Sequence, residues 1–179
     1  NTDMTPFTPR LLTRHAAFAP IAKAIEDSLQ VAFRYQKPDG GVSDRLVSPQ
    51  RLRQIEGQWV LLALHDGQSK NFLLRRIISE VEILESEAKR LSSAELQQVE
   101  QELNDFVLGN LAEIRVTPDT EAQLALSPNE QGVAKINYMD EALLAEDLLE
   151  YGSDIEVIAP ETLKRRLRAS LKAVMKQHA

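Results

Sequence analysis

The segment Trp59-Val60-Leu61-Leu62-Ala63-Leu64 is apolar at every position. Turn-forming residues bracket it, Glu56-Gly57 before and His65-Asp66-Gly67-Gln68 after. A short apolar run between turn signals reads as a strand buried on both faces. Such a strand has backbone donors and acceptors on both edges that water cannot reach, so it needs a neighbouring strand on each side. This one run therefore demands a sheet of three or more strands. Residues Lys70–Leu74 follow as the second arm of a hairpin, and Arg75, Arg76 and Ile77 come directly after. An apolar hairpin that delivers positive charge to one end suits binding of an anion better than catalysis.

The other strands lie nearby. Leu29–Tyr35 alternates apolar and polar residues, the period of a half-buried strand. Pro38-Asp39-Gly40-Gly41 is a turn, because glycine accepts the positive φ of hairpin turns. A second strand is predicted over Val42–Val47. Pro49 donates no ladder hydrogen bond, which puts the chain there at an edge or in a bend. A fifth strand is expected over Ile77–Leu84, with a helical turn before it. A helix over Phe18–Ser28, with Pro20 in its first turn, precedes them all. Five consecutive strands joined by short turns predict a small barrel, which buries its edges by closing.

Beyond residue 85 the period changes. Ser92-Ser93-Ala94-Glu95 forms a capping box. Leu96, Val99, Leu103, Phe106 and Val107 recur at helical spacing, and Gly109-Asn110 ends that helix. We read it as a connector. The remainder alternates: a strand at Glu113–Val116, a helix from Pro118 to about Leu126, a turn at Ser127-Pro128-Asn129 and a strand at Val133–Tyr138. Asp140 then caps a helix that stops at Gly152. Ile155–Ile158 is a strand, and Pro160 opens a final helix striped by Leu163, Leu167, Leu171 and Val174. This order predicts a small ferredoxin-like α+β sandwich. The expected divisions are an arm at 1–17, a barrel domain at 18–85, a connector helix at 86–110 and an α+β domain at 111–179.

Composition narrows the chemistry. The apolar share of 43% and charged share of 27% are those of an ordinary globular protein. No apolar run approaches the roughly 20 residues of a membrane helix. The polar, proline-dotted start is no signal peptide. With no Cys, disulfides, thiolate metal sites and Cys nucleophiles are excluded, which fits a cytoplasmic protein. The net charge of −6 conceals an asymmetry. Residues 30–76 carry eight basic and four acidic side chains, whereas residues 91–179 carry eight basic and sixteen acidic. A basic segment inside an acidic chain points to an anionic ligand.

The order of these elements carries a resemblance. A helix is followed by Val31-Ala32-Phe33-Arg34-Tyr35, then Arg45-Leu46-Val47-Ser48-Pro49, then Gly57-Gln58-Trp59-Val60-Leu61-Leu62-Ala63, then Phe72-Leu73-Leu74-Arg75-Arg76-Ile77. The series resembles the WYL domain. Leu148–Leu163, including Tyr151-Gly152-Ser153-Asp154-Ile155 and Ala159-Pro160, resembles the WCX extension that follows WYL domains. The resemblance covers roughly residues 18–175. It implies an Sm-like small barrel that senses nucleic-acid-type ligands, such as single-stranded oligonucleotides, in a bacterial transcription regulator. It further implies an upstream winged helix-turn-helix that contacts DNA, and an extension that helps homodimerisation. The start at Asn1 rather than Met agrees with an upstream domain. Three positions depart from the family pattern. Val60 replaces the family Tyr, Leu73 replaces an Arg and Arg75 replaces an Asp.

Arg45, Lys70 and Arg76 are the candidate anion contacts. Arg grips phosphate bidentately and Lys acts as a point charge. Arg75 lies beside them as a further candidate, and it carries less weight, as do Arg34 and Arg53. The bland alternative is surface charge paired with Asp44, Asp66 or Glu80. Trp59 could stack a base, although a Trp in an apolar strand more often packs. No enzyme is expected. His15, His65 and His178 have no metal-ligand spacing, and neither a phosphate-binding Gly loop nor a Ser nucleophile elbow occurs. No cofactor is expected either. The rival readings are a module that binds protein alone and an enzyme acting on nucleotides.

Overall fold

A computed structural model describes residues 15–120 and 126–177, apart from the side chains of Val174 and Gln177. The chain divides into two compact units, whose described parts meet between residues 105 and 106.

In the first unit, helix α1 (Phe18–Asp27) leads into strands β1 (Leu29–Gln36), β2 (Val42–Ile55), β3 (Gln58–His65), β4 (Gln68–Leu73) and β5 (Glu82–Glu87). They form one antiparallel sheet in the order β4-β3-β2-β1-β5. The apolar run is β3, flanked by β2 and β4, with Val60 to Leu64 all buried. Two hairpins hold it in register. Asp66-Gly67 closes the β3–β4 turn with both residues at positive φ (52° and 76°). Such a turn matches the twist of its strands. Glu56 and Gly57 do the same between β2 and β3.

Two expectations change. The second strand does not end at Val47. It continues through Pro49 as a 14-residue strand, pairing with β1 up to Val47 and with β3 from Ser48 onwards. Pro49 sits at a register shift between Pro49 and Arg51, the irregularity that lets a strand interior tolerate a residue with no N–H. The barrel also does not close. Among the described residues no ladder joins β4 to β5. After Leu73 the chain enters a 3-10 turn (Leu74–Arg76), Ile77 makes one isolated bridge to Tyr35, and β5 begins only at Glu82. The fifth strand is thus later than predicted and runs exposed along the acidic stretch.

The core of this unit gathers α1 against one sheet face: Ile21 and Ala24 meet Val31, Phe33, Tyr35, Val47, Leu61 and Phe72. His15 Nδ1 accepts from the Ala17 N–H at 3.0 Å as the chain enters α1. Helix α2 (Ser93–Gly109) follows. The capping box forms as predicted: the Ser92 N–H donates to Glu95 Oε1 at 3.0 Å, and the Glu95 N–H to Ser92 Oγ at 3.1 Å.

In the second unit β6 (Leu111–Val116), β7 (Val133–Asn137) and β8 (Ile155–Ala159) form an antiparallel sheet in the order β7-β6-β8. Helices α3 (Glu141–Leu149) and α4 (Glu161–Gln177) pack on it through Leu144, Leu148 and Leu163. Asp140 caps α3, accepting from the Leu143 N–H at 3.1 Å. Three strands are described, one fewer than in a ferredoxin-like sandwich. The helix expected at 118–126 lies mostly outside the described residues, as do the arm up to residue 14 and the side chain of Val174.

The box gives α2 a pH signature. Hydrogen bonds from Ser92 hold the Glu95 carboxyl below its ordinary 4.5. A depressed carboxyl stabilises the fold above its unfolded value, and that contribution is lost as pH falls through the folded value. Ser92→Ala is expected to lower the melting temperature at pH 7 and to flatten the decline below pH 4.5, as read by thermal circular dichroism at stepped pH.

Candidate nucleic-acid interface

The alternation of β1 puts Phe33 and Tyr35 on the face that also receives Val31. Phe72 arrives from β4, opposite Leu61. The three rings meet edge to face, with centroids 6.3 Å (Phe33–Tyr35), 5.4 Å (Phe33–Phe72) and 5.1 Å (Tyr35–Phe72) apart. Arg45 pairs with Phe33 across the β1–β2 ladder, so its side chain emerges on this same face. Its guanidinium lies 5.5 Å from the Phe72 centroid and 6.0 Å from that of Tyr35. Nε donates to Ser43 Oγ at 3.0 Å. Among the described residues Arg45 has no carboxylate partner. Its charge is held by π faces and one hydroxyl, which leaves the remaining donors for a ligand.

The Tyr35 hydroxyl accepts from the buried Leu73 N–H at 2.9 Å. A side chain thus takes the bond that a closing strand would have taken at the end of β4. Arg76 is nearby and only 8% exposed. Its guanidinium points to the carbonyls of Gln36 and Lys37, at 3.5 and 3.4 Å. It fastens the 3-10 turn to the end of β1. Arg75 is half-buried and engaged within the protein.

The remaining candidates separate. Lys70 is exposed on β4, opposite Ala63. Trp59 lies at the other end of β3, beyond the Leu61–Phe72 pair. Four residues of strand separate the rows of Trp59 and Lys70, roughly 13 Å. Trp59 is half-buried, with its ring 4.7 Å from that of Phe18 on α1 at 67°. It packs a helix onto the sheet. The structure therefore gathers Arg45 and Arg76 around Tyr35, and leaves Lys70 and Trp59 apart from them. Arg34 pairs with Asp44 at 3.2 Å, and Arg53 lies 3.5 Å from Glu100.

A cleft of about 280 Å³ opens beside Arg45, lined also by Phe33, Arg34, Asp44, Glu80 and Glu82. Since Arg34 neutralises Asp44, the charges facing an entrant are Arg45 against Glu80 and Glu82. These carboxylates were not anticipated as part of a site, nor were Tyr35 and Phe72. The signal for the rings was present: Phe33 and Tyr35 share the period-2 face that ends opposite Ser43 and Arg45. Among the described residues no cluster of three or more His, Asp or Glu is arranged to hold a metal ion.

With this geometry in view, the comparisons define the class. Family models match a WYL domain over residues 16–83 and a WCX domain over residues 109–175. The chain belongs to the family in which a WYL domain is followed by a WCX domain. No curated protein matches the chain. Among solved structures it resembles proteasome accessory factor B/C (PafBC) of Arthrobacter aurescens, at 23% identity and a TM-score of 0.59. That match covers 91% of this chain and 28% of the other, and the likeness is one of fold. A CRISPR Cas-related protein also matches, at 13% identity and a TM-score of 0.47, covering 88% of this chain and 51% of that one. The chain thus spans little more than a quarter of the first of these proteins and about half of the second.

The hydroxyl of Tyr35 gives a direct test of the staple. Tyr35→Phe strands the buried Leu73 N–H, a loss of about 1–3 kcal/mol. Urea denaturation followed by Trp59 fluorescence is expected to show this as a lower midpoint with an unchanged slope.

Proposed function

We propose that this chain is the ligand-sensing module of a bacterial transcription regulator, and that the sensed ligand is a single-stranded oligonucleotide or nucleotide. The observation that carries this reading is Arg45, a cation without a carboxylate partner among the described residues, held over Tyr35 and Phe72 at the mouth of a cleft. A phosphate that meets its free donors gains a charge-assisted hydrogen bond. Arg76 supports the wall of the site from behind. In this reading the five strands are an Sm-like sheet left open, and the WCX unit is a reduced ferredoxin-like sandwich that serves dimerisation. An upstream helix-turn-helix would make the DNA contacts, and the ligand would shift its placement by binding two states of a cytoplasmic dimer unequally. The module performs no catalysis of its own. Among the described residues no helix is long and apolar enough to cross a membrane.

The carboxylates give the rival its footing. Glu80 and Glu82 in the cleft oppose a polyanion and favour a module that binds protein. The two readings separate by fluorescence anisotropy with a labelled twelve-nucleotide single strand at 50 and 200 mM salt. One phosphate held by Arg45 predicts a log–log salt slope of about −0.7. Arg45→Ala is expected to weaken binding about tenfold or more while leaving the melting temperature near that of the parent. Glu80→Gln with Glu82→Gln is expected to tighten it several-fold. Arg76→Ala is expected to lower the melting temperature. No binding at 50 mM salt, or equal binding by Arg45→Ala, rejects the oligonucleotide reading.

A further inference from the structure

The WCX unit has a strand edge that no described strand covers. β8 pairs with β6 along one side only. On its other side a groove of about 590 Å³ runs between the strand and α4. Ile155, Glu156 and Val157 all line it, although successive side chains point to opposite faces, so the groove follows the edge of the strand. Leu167 and Leu171 form the helix side, with Lys164 and Arg168 on the rim. Leu171 is 42% exposed, and Met175, one turn further on, is 71% exposed.

The charge on α4 runs against that of the chain. Residues 161–177 carry six basic side chains and one acidic, in a protein of net charge −6. Glu141 holds Arg166 at 2.8 Å, and Glu161 lies 3.9 Å from Lys164. Arg165, Arg168, Lys172 and Lys176 make no ion pair among the described residues. Their spacing sets them on one stripe of the helix. Glu156 is no rival for the rim, because Arg115 holds it at 2.8 Å.

We propose that this groove binds an extended acidic peptide from another protein, added as a fourth strand on the free edge of β8. Main-chain hydrogen bonds to β8 would supply affinity, and alternate side chains would supply specificity. On the face toward α4, apolar residues meet Leu167 and Leu171, and a carboxylate meets Lys164 and Arg168. A second copy of this chain is the poorer occupant. Pairing β8 with β8 would bring two strongly basic α4 helices alongside each other, and like charges repel.

The test uses the full chain and fluorescein-labelled Thr-Glu-Thr-Val-Thr-Val, with Glu and Val on one face of the strand. Two controls accompany it, a version with Lys for Glu and a version N-methylated at alternate residues. The Glu peptide is expected to give a saturable anisotropy change. The Lys and N-methylated peptides are expected to bind at least tenfold more weakly. In the variant Lys164→Glu with Arg168→Glu the preference is expected to reverse, so that the Lys peptide binds more tightly than the Glu peptide. Three results would overturn the proposal: no binding of the Glu peptide at millimolar concentration, undiminished binding of the N-methylated peptide, or an unreversed preference in a variant whose circular dichroism matches the parent. Sedimentation equilibrium adds a fourth. If the protein is a dimer that the double variant dissociates, the edge belongs to a second copy and the peptide reading fails.

Discussion

The first unit depends on one strand serving two ladders. β2 is hydrogen-bonded to β1 along its first part and to β3 along the rest, with Pro49 at the exchange. A regular strand would offer the same partner along its length and would carry the sheet on in one plane. A bulge adds local twist, and here it redirects the strand where one partner is exchanged for the next. The faces of β1 and β4 then converge on one core, where Phe33, Tyr35 and Phe72 meet. A proline suits this point because the ladder is already interrupted there and loses no bond to the missing N–H.

The electrostatics of the cleft follow from that convergence. A guanidinium on the core side of a sheet requires compensation, and a carboxylate would have cancelled it. Aromatic faces stabilise it less, by about 0.5–1 kcal/mol at partly exposed sites, and leave its charge in place. Glu80 and Glu82 then set how far that charge reaches. The site is therefore a local device, unlike the broad basic surfaces that bind long polyanions through many phosphates.

Much of the fold was legible in the residues. The period-2 pattern of Leu29–Tyr35, the turn chemistry of Asp66-Gly67 and the capping box at Ser92 are local signals, and each is realised in its expected form. Failures came where a non-local partner decided the outcome. The second strand was ended at Val47, yet it runs on past Pro49, where an edge or a bend was expected and a register shift stands, because β3 takes over as its partner. Closure of the barrel was inferred from strand number, yet it depends on whether β4 and β5 meet, and that is set by the path of residues 74–81. The site was legible in part. Arg45 could be chosen for its type and strand, while the sequence left Trp59 between stacking a base and packing, and its ring lies against Phe18. Lys70 and Arg76 look alike as charges in a sequence, but one is solvated and the other is bonded to the carbonyls of Gln36 and Lys37. Only the fold distinguishes them.

The Tyr35 hydroxyl ties two properties together. Its ring forms part of the floor beneath Arg45, and its oxygen accepts the hydrogen bond from the Leu73 N–H that ties β1 to the end of β4. On the function proposed for the cleft, a change of floor residue alters recognition and loosens the sheet at once. Drift in specificity is then steered to the rim, to Arg45, Glu80 and Glu82, where charge can be exchanged at little structural loss. Relatives that keep the tyrosine while differing at the rim would share an architecture and diverge in what they recognise.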